Sequence, residues 1–452
     1  MNLPRCLPAV LFALGATLAA QPLTLEQAVT QAWERYPAMR VSVEQVSAAV
    51  AGIDLARAAY LPRADFLAQL NRSTWNNVSG LLLPQSVIPS ISGPVFGPSM
   101  SNVWGTATGL LFSWEPFDFG LRAATVEAAR TARGRAEAQT AVTRLEVGAA
   151  AADAFLTTLA AGQVARAAQA GVERARVFEQ SVAALVKAEL RPGADASRAA
   201  AELAQARIQL IQSEKAEQVS WASLAQLAGT ASGSLAAGPL LRPPAAAETA
   251  ERPPAAHPRA AAQTAAIEAV KARQKILNTS YFPKFSLQAA TFGRGTGAHP
   301  DGSTGGAASG LGPSVGNWAV GMTMTFPMLD LPSLRARRQI ETFNERAEAA
   351  RYDQMVRDLA AEQEKARASL DAARRVAQQT PVQLAAARAL EKQATVRYQA
   401  GLATIVDVAE AQRLLTQAEI DDSLAGLNAW RALLALRAAE GDLTPYLQQT
   451  RP

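Results

Sequence analysis

Histidine and cysteine, the residue types most often used in metal binding and nucleophilic catalysis, are rare in this 452-residue chain. The two histidines, His257 and His299, are far apart in a linker and a Gly-rich stretch, and the single cysteine, Cys6, lies close to the N-terminus. The sequence has no phosphate-binding loop, no HExxH zinc motif and no GxSxG nucleophile motif. The glycines from 293 to 316 follow a predicted strand without opening a helix, so we expect a surface loop there. We predict no enzymatic activity, no metal and no cofactor.

Charge and composition narrow the class of protein further. The 44 Lys and Arg residues are interleaved with 39 Asp and Glu residues, and the net charge is only +5. No basic block marks a nucleic-acid surface, so nucleic acid is not an expected partner. With 49% hydrophobic and 18% charged residues, the chain has ample material for a folded structure.

Residues 1–20 have the composition of a secretory signal peptide. Arg5 precedes an apolar core at 7–18, which ends at Ala19 and Ala20. No later stretch supplies the roughly 20 uninterrupted apolar residues of a membrane-spanning helix. The best candidate for such a helix, 147–162, contains Asp153 and is mostly alanine. If the exported chain spans a membrane, we expect it to do so with strands.

The chain carries an internal duplication. The pair Tyr36-Pro37 precedes a second Tyr and Pro (Tyr60 and Pro62) by 24 residues, and His257-Pro258 precedes Tyr281 by the same interval. His257 therefore occupies the position of Tyr36, which favours a structural role at a helix start. We expect a first repeat at 21–235 and a second at 259–442, joined by a Pro/Ala linker at 236–258 and followed by a tail at 443–452. The first repeat has a helix, a strand pair (63–116) and a long helical hairpin (120–229); in the second, the strand pair is 284–327 and the hairpin 334–440.

The strand-like runs alternate in polarity. The clearest one has apolar residues at even positions and small or polar residues between them; the apolar set is Trp318, Val320, Met322, Met324 and Phe326. A period of two gives one apolar and one polar face. Each run is close to the 9–11 residues with which a tilted strand crosses a bilayer. A soluble antiparallel sheet with its apolar face on a core is the alternative.

Four strands are too few to close a membrane barrel. The smallest such barrels have about eight, and an open strand edge is not tolerated in lipid. Barrel formation therefore predicts an oligomer.

The segments that connect the strand pairs have a helical period. A heptad stripe runs through the second repeat, at Ala349, Tyr352, Val356, Leu359, Gln363, Ala366, Leu370, Ala373, Ala377, Thr380, Leu384 and Ala387. We expect helices at 121–188 and 334–399, each about 100 Å long. Pro381 lies inside the second and should kink or divide it. Turns at 191–193 and 400–402 would form the hairpin tips.

With this plan in place, the sequence resembles the TolC-type outer membrane efflux proteins, also called outer membrane factors, over nearly its whole length. The start LTLEQAV at 23–29, followed by Tyr36 and Pro37, is similar to the start of that family. The stretch RYQAGLATIVDV at 397–408 closely resembles the second periplasmic hairpin of the family. Thr24 and Gln27 also fit a helix-capping box.

The resemblance implies an α+β membrane protein that forms a homotrimeric channel. Four strands per chain would build a 12-stranded barrel in the outer membrane of a Gram-negative bacterium, in contact with its lipid. A long α-helical barrel would continue the channel through the periplasm. The implied partners are a periplasmic adaptor (membrane fusion) protein and an inner-membrane transporter, and the implied function is a passive exit duct in efflux or type I secretion.

The resemblance also implies the residues that close the channel at its periplasmic tip. Tyr398 would belong to a tyrosine–aspartate latch, and Asp407 and Glu410 would form rings of carboxylates. Asp195 is the candidate partner in the latch, because it aligns with Asp407 when the two hairpins are compared. Such rings would repel anions and attract cations. Adaptor contacts would lie in the two turns, at Gly401, Leu402, Ala403 and Thr404 and at Pro192 and Gly193.

Other interpretations remain for both the residues and the protein. Asp407 is also placed to cap the helix that starts near Thr404. In the family that this chain resembles, an arginine at the position of Ala403 can strengthen the latch. Two other functions are a periplasmic adaptor, which should carry one hairpin beside small β domains, and a structural coiled-coil protein of the envelope, which should lack the strand pairs.

Overall fold

The computed structural model describes residues 22–74, 101–229, 233–245, 252–299, 301, 303–326 and 328–451. The predicted signal peptide at 1–20 lies outside them. The chain divides into two compact units, one made of 1–42, 139–261 and 355–452, the other of 43–138 and 262–354. Each unit contains segments of both sequence repeats, so the units cut across the duplication. The reason is that the elements of one repeat pack against those of the other.

Both halves of the chain contain a helix, two strands and two long helices in that order; the first half has an additional helix at its start and the second a short additional helix at its end. The first half contains α1 (Leu25–Arg35), α2 (Pro37–Ala58), β1 (Arg63–Thr74), β2 (Asn102–Phe117), α3 (Leu121–Lys187) and α4 (Gly193–Ala228). The second contains α5 (Pro258–Thr279), β3 (Lys284–Thr296), β4 (Val315–Thr325), α6 (Leu331–Gln399), α7 (Ile405–Glu440) and a short α8 (Thr444–Gln449). The two longest helices, α3 and α6, have 67 and 69 residues.

The heptad stripe of α6 becomes the buried side of that helix from Leu359 onward. Burial recurs there in steps of three, four or seven residues, at Leu359, Gln363, Ala366, Leu370, Ala377, Thr380, Leu384, Ala387, Ala394 and Tyr398, while Ala349, at the start of the stripe, is exposed. The polar members are satisfied: the Gln363 amide donates to the carbonyl of Ala439, and the Thr380 hydroxyl donates to Asp422. The helix is continuous through Pro381, so Pro381 does not divide it, and a kink there stays a prediction. Proline removes a single backbone donor, while buried residues before it, as at Thr380, and after it, as at Leu384, hold the remainder of the turn.

The first unit has a core built from both repeats. Helix α1 begins with the expected capping box, in which Thr24 and Gln27 exchange side-chain and backbone hydrogen bonds. Its buried face joins residues of α3, α4, α6 and α7 in one cluster, among them Phe155, Leu156, Leu224 and Leu427. An apolar stretch of α3 is long enough to cross a membrane by composition, but half of it is buried in the protein. Its hydropathy is therefore explained by the core.

Segments expected as linker and tail also pack into this unit. Leu240, in a 3₁₀ turn at Gly238–Leu241, is buried, and the carbonyl of Arg242 accepts a hydrogen bond from the Trp430 indole at 2.8 Å. Tyr446, in α8, is fully buried and meets Trp430 edge to face. A bidentate pair between Arg451 and Glu26 joins the end of the chain to α1. Contacts outside the two longest helices therefore also join the first and second halves of the chain.

The second unit contains one antiparallel sheet in the order β1-β2-β3-β4. Pairing is continuous from Phe66 opposite Leu110, through Leu110 opposite Thr291, to Thr291 opposite Trp318. Among the described residues, β1 pairs only with β2 and β4 only with β3. The sheet therefore ends in two edges, one from each repeat.

The two faces of the sheet differ as the alternation predicted. One face carries apolar rows that reach solvent, with Trp318 80% exposed and Met322 70% exposed; Phe66, Leu70, Leu110, Phe112, Trp114, Leu287, Val320 and Met324 are also exposed. The register places these side chains on the same face because directly opposed residues in an antiparallel pair point the same way. The other face carries polar residues such as Gln69, Ser113 and Gln288, with a small apolar cluster of Leu111, Ala290 and Phe292.

The expectation of a glycine-rich surface loop from 293 to 316 is wrong at both ends. Gly293 and Gly295 lie in β3, and Gly316 lies in β4. A side chain at Gly295 would meet the carbonyl of Gly312 at 1.8 Å, because the connecting segment folds back on the strand. These glycines allow a close approach of backbone to backbone, which sequence periodicity does not indicate.

Candidate functional site

The two hairpin tips, both in the first unit, turn in the same way. Helix α6 is followed by Gly401, whose φ of +79° is left-handed, and the N–H of Leu402 donates to the carbonyl of Arg397 at 2.8 Å. Helix α3 is followed by Glu189, with φ of +58°, and the N–H of Leu190 donates to Leu185 at 2.9 Å. Both are Schellman-type ends, but α3 uses Glu189, a residue with a side chain, where glycine is preferred.

Four helix ends meet beside these turns. Their buried residues form one cluster: Phe178, Val182, Ala199, Ala394, Tyr398, Ile405, Val408 and Ala411. Tyr398 is the largest of them at the end of α6 and is only 1% exposed. It lies inside because it continues the three- and four-residue spacing of the buried α6 positions.

The Tyr398 side chain contacts the first hairpin through its ring and its hydroxyl. The ring meets Phe178 edge to face at 5.5 Å, and the hydroxyl donates a 2.9 Å hydrogen bond to Oδ2 of Asp195. Burial, and then the hydrogen bond to the Asp195 carboxylate, raises the pKa of Tyr398 to about 12. The phenol therefore remains a hydrogen-bond donor throughout the physiological pH range.

Arg191 contacts the same tyrosine from the turn that precedes α4. Its guanidinium carbon lies 4.4 Å from the centre of the Tyr398 ring, and its Nη2 donates to the carbonyl of Tyr398. The geometry is that of a cation–π contact combined with a hydrogen bond. Sequence reasoning named Arg191 only as part of a turn. Its position four residues before Asp195 was the available signal, but nothing in the sequence shows that its side chain reaches the other hairpin.

Asp407 caps α7. Its Oδ2 accepts hydrogen bonds from both the N–H and the hydroxyl of Thr404, each at 2.8 Å, and its own N–H donates to the Thr404 hydroxyl at 3.4 Å. This is a reciprocal capping box. The bond from the Thr404 backbone, with that from its hydroxyl, holds the pKa of the exposed Asp407 carboxyl below its usual value. The capping interpretation of Asp407 is confirmed, and its role in a carboxylate ring stays a prediction.

Glu410 lies one turn further along the exposed side of α7. Its carboxylate pairs with Arg413 within the same helix. Glu410 and Asp407 also line a groove between α6 and α7, together with Arg397, Leu402 and Val406. The groove is a feature of one hairpin and does not include Tyr398 or Asp195.

The structure therefore brings together some of the predicted site residues and separates others. Tyr398 and Asp195 are in direct contact, while Asp407 and Glu410 lie on a different side of the second hairpin. Most of the residues predicted to contact an adaptor are exposed: Gly401, Leu402, Thr404, Pro192 and Gly193. Ala403 packs partly against the Tyr398 cluster. Within the described residues, no group of three or more His, Cys, Asp or Glu side chains is placed to hold a metal ion.

A family model described as outer membrane efflux protein matches residues 28–230 and 255–442. The stretch between the two matched segments, 231–254, contains most of the Pro/Ala linker. No significant match was found among curated proteins.

Several solved channels share the fold. The outer-membrane channel OprN superposes with a TM-score of 0.70 at 21% identity, covering 92% of this chain and 89% of its own. The Campylobacter jejuni CmeC outer membrane channel gives 0.73 at 15% identity, with 98% and 93% covered. The open state of the Neisseria gonorrhoeae MtrE outer membrane channel gives 0.71 at 18% identity, with 92% and 89% covered. These structures share the fold, and the family model, which spans both repeats, establishes that this chain belongs to the outer membrane efflux protein family.

Proposed function

We propose that three copies of this chain form a passive exit duct across the outer membrane and into the periplasm. The duct would serve a tripartite efflux or type I secretion system and would open at its periplasmic tip on docking with an adaptor and an inner-membrane transporter. The family is one of channels and not of enzymes, in keeping with the absence of catalytic motifs from the sequence.

The observation that carries this proposal is the sheet of the second unit. Its apolar rows face solvent, where a soluble protein would lose about 25 cal/mol for each Å² of apolar surface left unburied. Its β1 and β4 edges have no partner among the described residues. Lipid would cover the apolar face, and the edges of neighbouring copies would pair β4 with β1. Three copies of four strands give the twelve strands of a closed barrel.

The tip contacts support a closed resting state within each chain. The hydrogen bond between Tyr398 and Asp195 ties the end of α6 to the start of α4. We propose that this bond is the latch, so that its loss lets the second hairpin move away from the first. The Asp407 and Glu410 carboxylates would then act as a separate filter for charge.

The alternative functions fit these observations less well. Neither a periplasmic adaptor nor a structural coiled-coil protein of the envelope requires a sheet whose apolar face is exposed. Cell fractionation separates them: the channel is expected in the outer-membrane fraction, and recovery in the soluble periplasmic fraction would contradict the proposal.

Purified full-length protein provides the direct test. Native mass spectrometry in detergent should give the mass of three chains, and reconstitution in planar lipid bilayers should give discrete conductance steps. Tyr398→Phe and Asp195→Asn, which remove the donor and the charge of the latch, should each raise the conductance. A protein that remains monomeric without detergent and never conducts would overturn the assignment.

A further inference from the structure

The exposed turn at the first hairpin tip carries two groups that hold the same buried tyrosine. Arg191 lies just before Pro192 and Gly193, and Asp195 follows them after Ala194. The Asp195 N–H donates to the carbonyl of Pro192 at 3.0 Å, which fixes the segment from Pro192 to Asp195. One five-residue segment thus reaches the ring, the carbonyl and the hydroxyl of Tyr398.

We propose that Arg191 is a positioning residue of the tip closure, holding the Tyr398 ring so that its hydroxyl meets Asp195. This inference rests on the proposed latch and extends it. The guanidinium covers the ring at 4.4 Å, while Phe178 meets the ring edge to face. With the ring confined by both contacts, rotation of the side chain away from Asp195 requires that Arg191 leave first.

The second contact of Arg191 adds to the first. The carbonyl of Tyr398 lies in the last turn of α6, where unpaired carbonyls carry partial negative charge. It already accepts the N–H of Gly401 at 3.1 Å, and the Arg191 guanidinium supplies another donor. A cation at this place is favoured by the helix dipole as well as by the aromatic ring. Ala403, in the turn that follows α6, has no charged side chain and so does not supply this cation from the second hairpin itself.

This arrangement gives a route from the tip surface to the latch. Pro192 and Gly193 are exposed, and they separate Arg191 from Asp195. A protein that binds this turn and shifts its backbone moves both groups that hold Tyr398. Binding at the first hairpin would therefore release the end of α6, in the second hairpin, without touching it.

The test compares single-channel conductance of the full-length protein in planar bilayers. Arg191→Gln keeps a hydrogen-bond donor but shortens the side chain and removes its charge, and we expect the open fraction to rise about two- to fivefold, as loss of a partly exposed cation–π contact allows. Arg191→Lys, which keeps a cation over the ring, should restore at least part of the closure. The matched control is Arg198→Gln, on the exposed side of α4, which should conduct as the unmodified protein. Wild-type conductance for Arg191→Gln, or an equal rise for Arg198→Gln, would overturn the inference.

A second background shows whether Arg191 acts through the ring. In Tyr398→Ala the ring is absent and only the contact of Arg191 with the backbone carbonyl remains, so Arg191→Gln should produce a smaller rise than in the unmodified protein. An equal rise in both backgrounds would contradict a positioning role through the ring. Native mass and melting temperature are measured for every variant, and Arg191→Lys carries the comparison if Arg191→Gln does not assemble. If Tyr398→Phe and Asp195→Asn raise the conductance but Arg191→Gln does not, only this inference fails. If neither latch variant changes it, the proposed latch fails.

Discussion

Asp407 Oδ2 accepts hydrogen bonds from both the backbone N–H and the hydroxyl of Thr404, each at 2.8 Å. The residue expected to filter charge at the channel tip is therefore also part of the capping box at the start of its own helix, α7. A substitution of Asp407 must affect helix stability whether or not the carboxylate faces a pore. Glu410 has no such role in capping, which makes the two residues a useful pair.

The first prediction separates the two roles of these carboxylates. Asp407→Ala and Glu410→Ala together should weaken block by trivalent cations, because the negative charge near the pore falls, and should raise conductance, because the smaller side chains widen the constriction. Asp407→Ala should also lower the melting temperature followed by circular dichroism, through loss of the capping box. Glu410→Ala should leave it nearly unchanged, since exposed i,i+3 pairs contribute little. Unchanged conductance and block in the double variant would remove both residues from the gate.

The second prediction concerns the left-handed residue at the end of α3. Glu189 has φ of +58°, a conformation that costs a residue with a Cβ about 1 kcal/mol or more. Glu189→Gly should therefore raise the melting temperature, by the equivalent of up to about 1 kcal/mol after the larger chain entropy of glycine is subtracted. Gly401→Ala, at the matching turn with φ of +79°, should lower it. A decrease for Glu189→Gly would mean that its side chain makes a contact that outweighs the strain.

A third prediction addresses the buried ion pair of α7. The side chains of Arg437 and Glu440 are 4% and 6% exposed and are joined at 2.7 Å, and within the described residues Nε and Nη2 of Arg437 have no hydrogen-bond partner. Glu440→Gln should destabilise the protein by about 3 kcal/mol, because it leaves a buried cation uncompensated. The double variant Arg437→Met/Glu440→Leu should cost less than the single one, since it removes the charge altogether. Thermal unfolding decides; a double variant less stable than Glu440→Gln would contradict this account.

The fourth prediction is a pH dependence that originates at His257, a residue only 2% exposed. Its Nδ1 accepts the N–H of Arg259 at 3.0 Å, and its Nε2 lies 3.1 Å from the carbonyl of Ala438. Burial is the main cause that lowers the pKa of His257; the hydrogen bond with the Ala438 carbonyl and the charge of Glu362 oppose it, while the nearby Arg259 and Arg252 act in the same direction as burial. The folded protein thus holds the imidazole neutral, while the unfolded chain protonates it near pH 6.5.

Stability from this group is therefore present above about pH 6.5 and is lost as the pH falls toward the lower, folded pKa. The melting temperature should drop between pH 7.5 and 5.5. In His257→Asn, whose amide can make both hydrogen bonds without titrating, the drop should be smaller. His299→Asn, a change of the other histidine, should retain the full drop. An equal drop in His257→Asn and the unmodified protein would assign the pH dependence to other groups.

Local periodicity was sufficient to predict much of the fold. Alternation at Trp318, Val320 and Met322 identified a strand with one apolar face, because the strand period of two is set by backbone geometry alone. The heptad stripe through Leu359 and Leu384 likewise predicted the buried side of α6. What periodicity could not indicate is where two backbones meet, as at Gly295, since that depends on how a distant segment folds back.

The candidate site was predictable in part for a similar reason. Thr404 and Asp407 are three residues apart, so their capping box follows from sequence. Tyr398 and Asp195 were paired by aligning the two repeats and by family resemblance, and the structure brings them into contact. The contact of Arg191 with Tyr398 spans 207 positions and depends on side-chain direction across two hairpins, which no local pattern encodes.

The two edges of the sheet have a consequence for how the protein reaches the outer membrane. Before copies associate, the described part of a single chain presents two strand edges, on β1 and β4, with no neighbouring strand, and an apolar face on which Trp318 and Met322 are exposed. These are the properties of an aggregation-prone intermediate. We therefore expect aggregation to limit the yield of the channel whenever insertion and association are slower than synthesis of the chain.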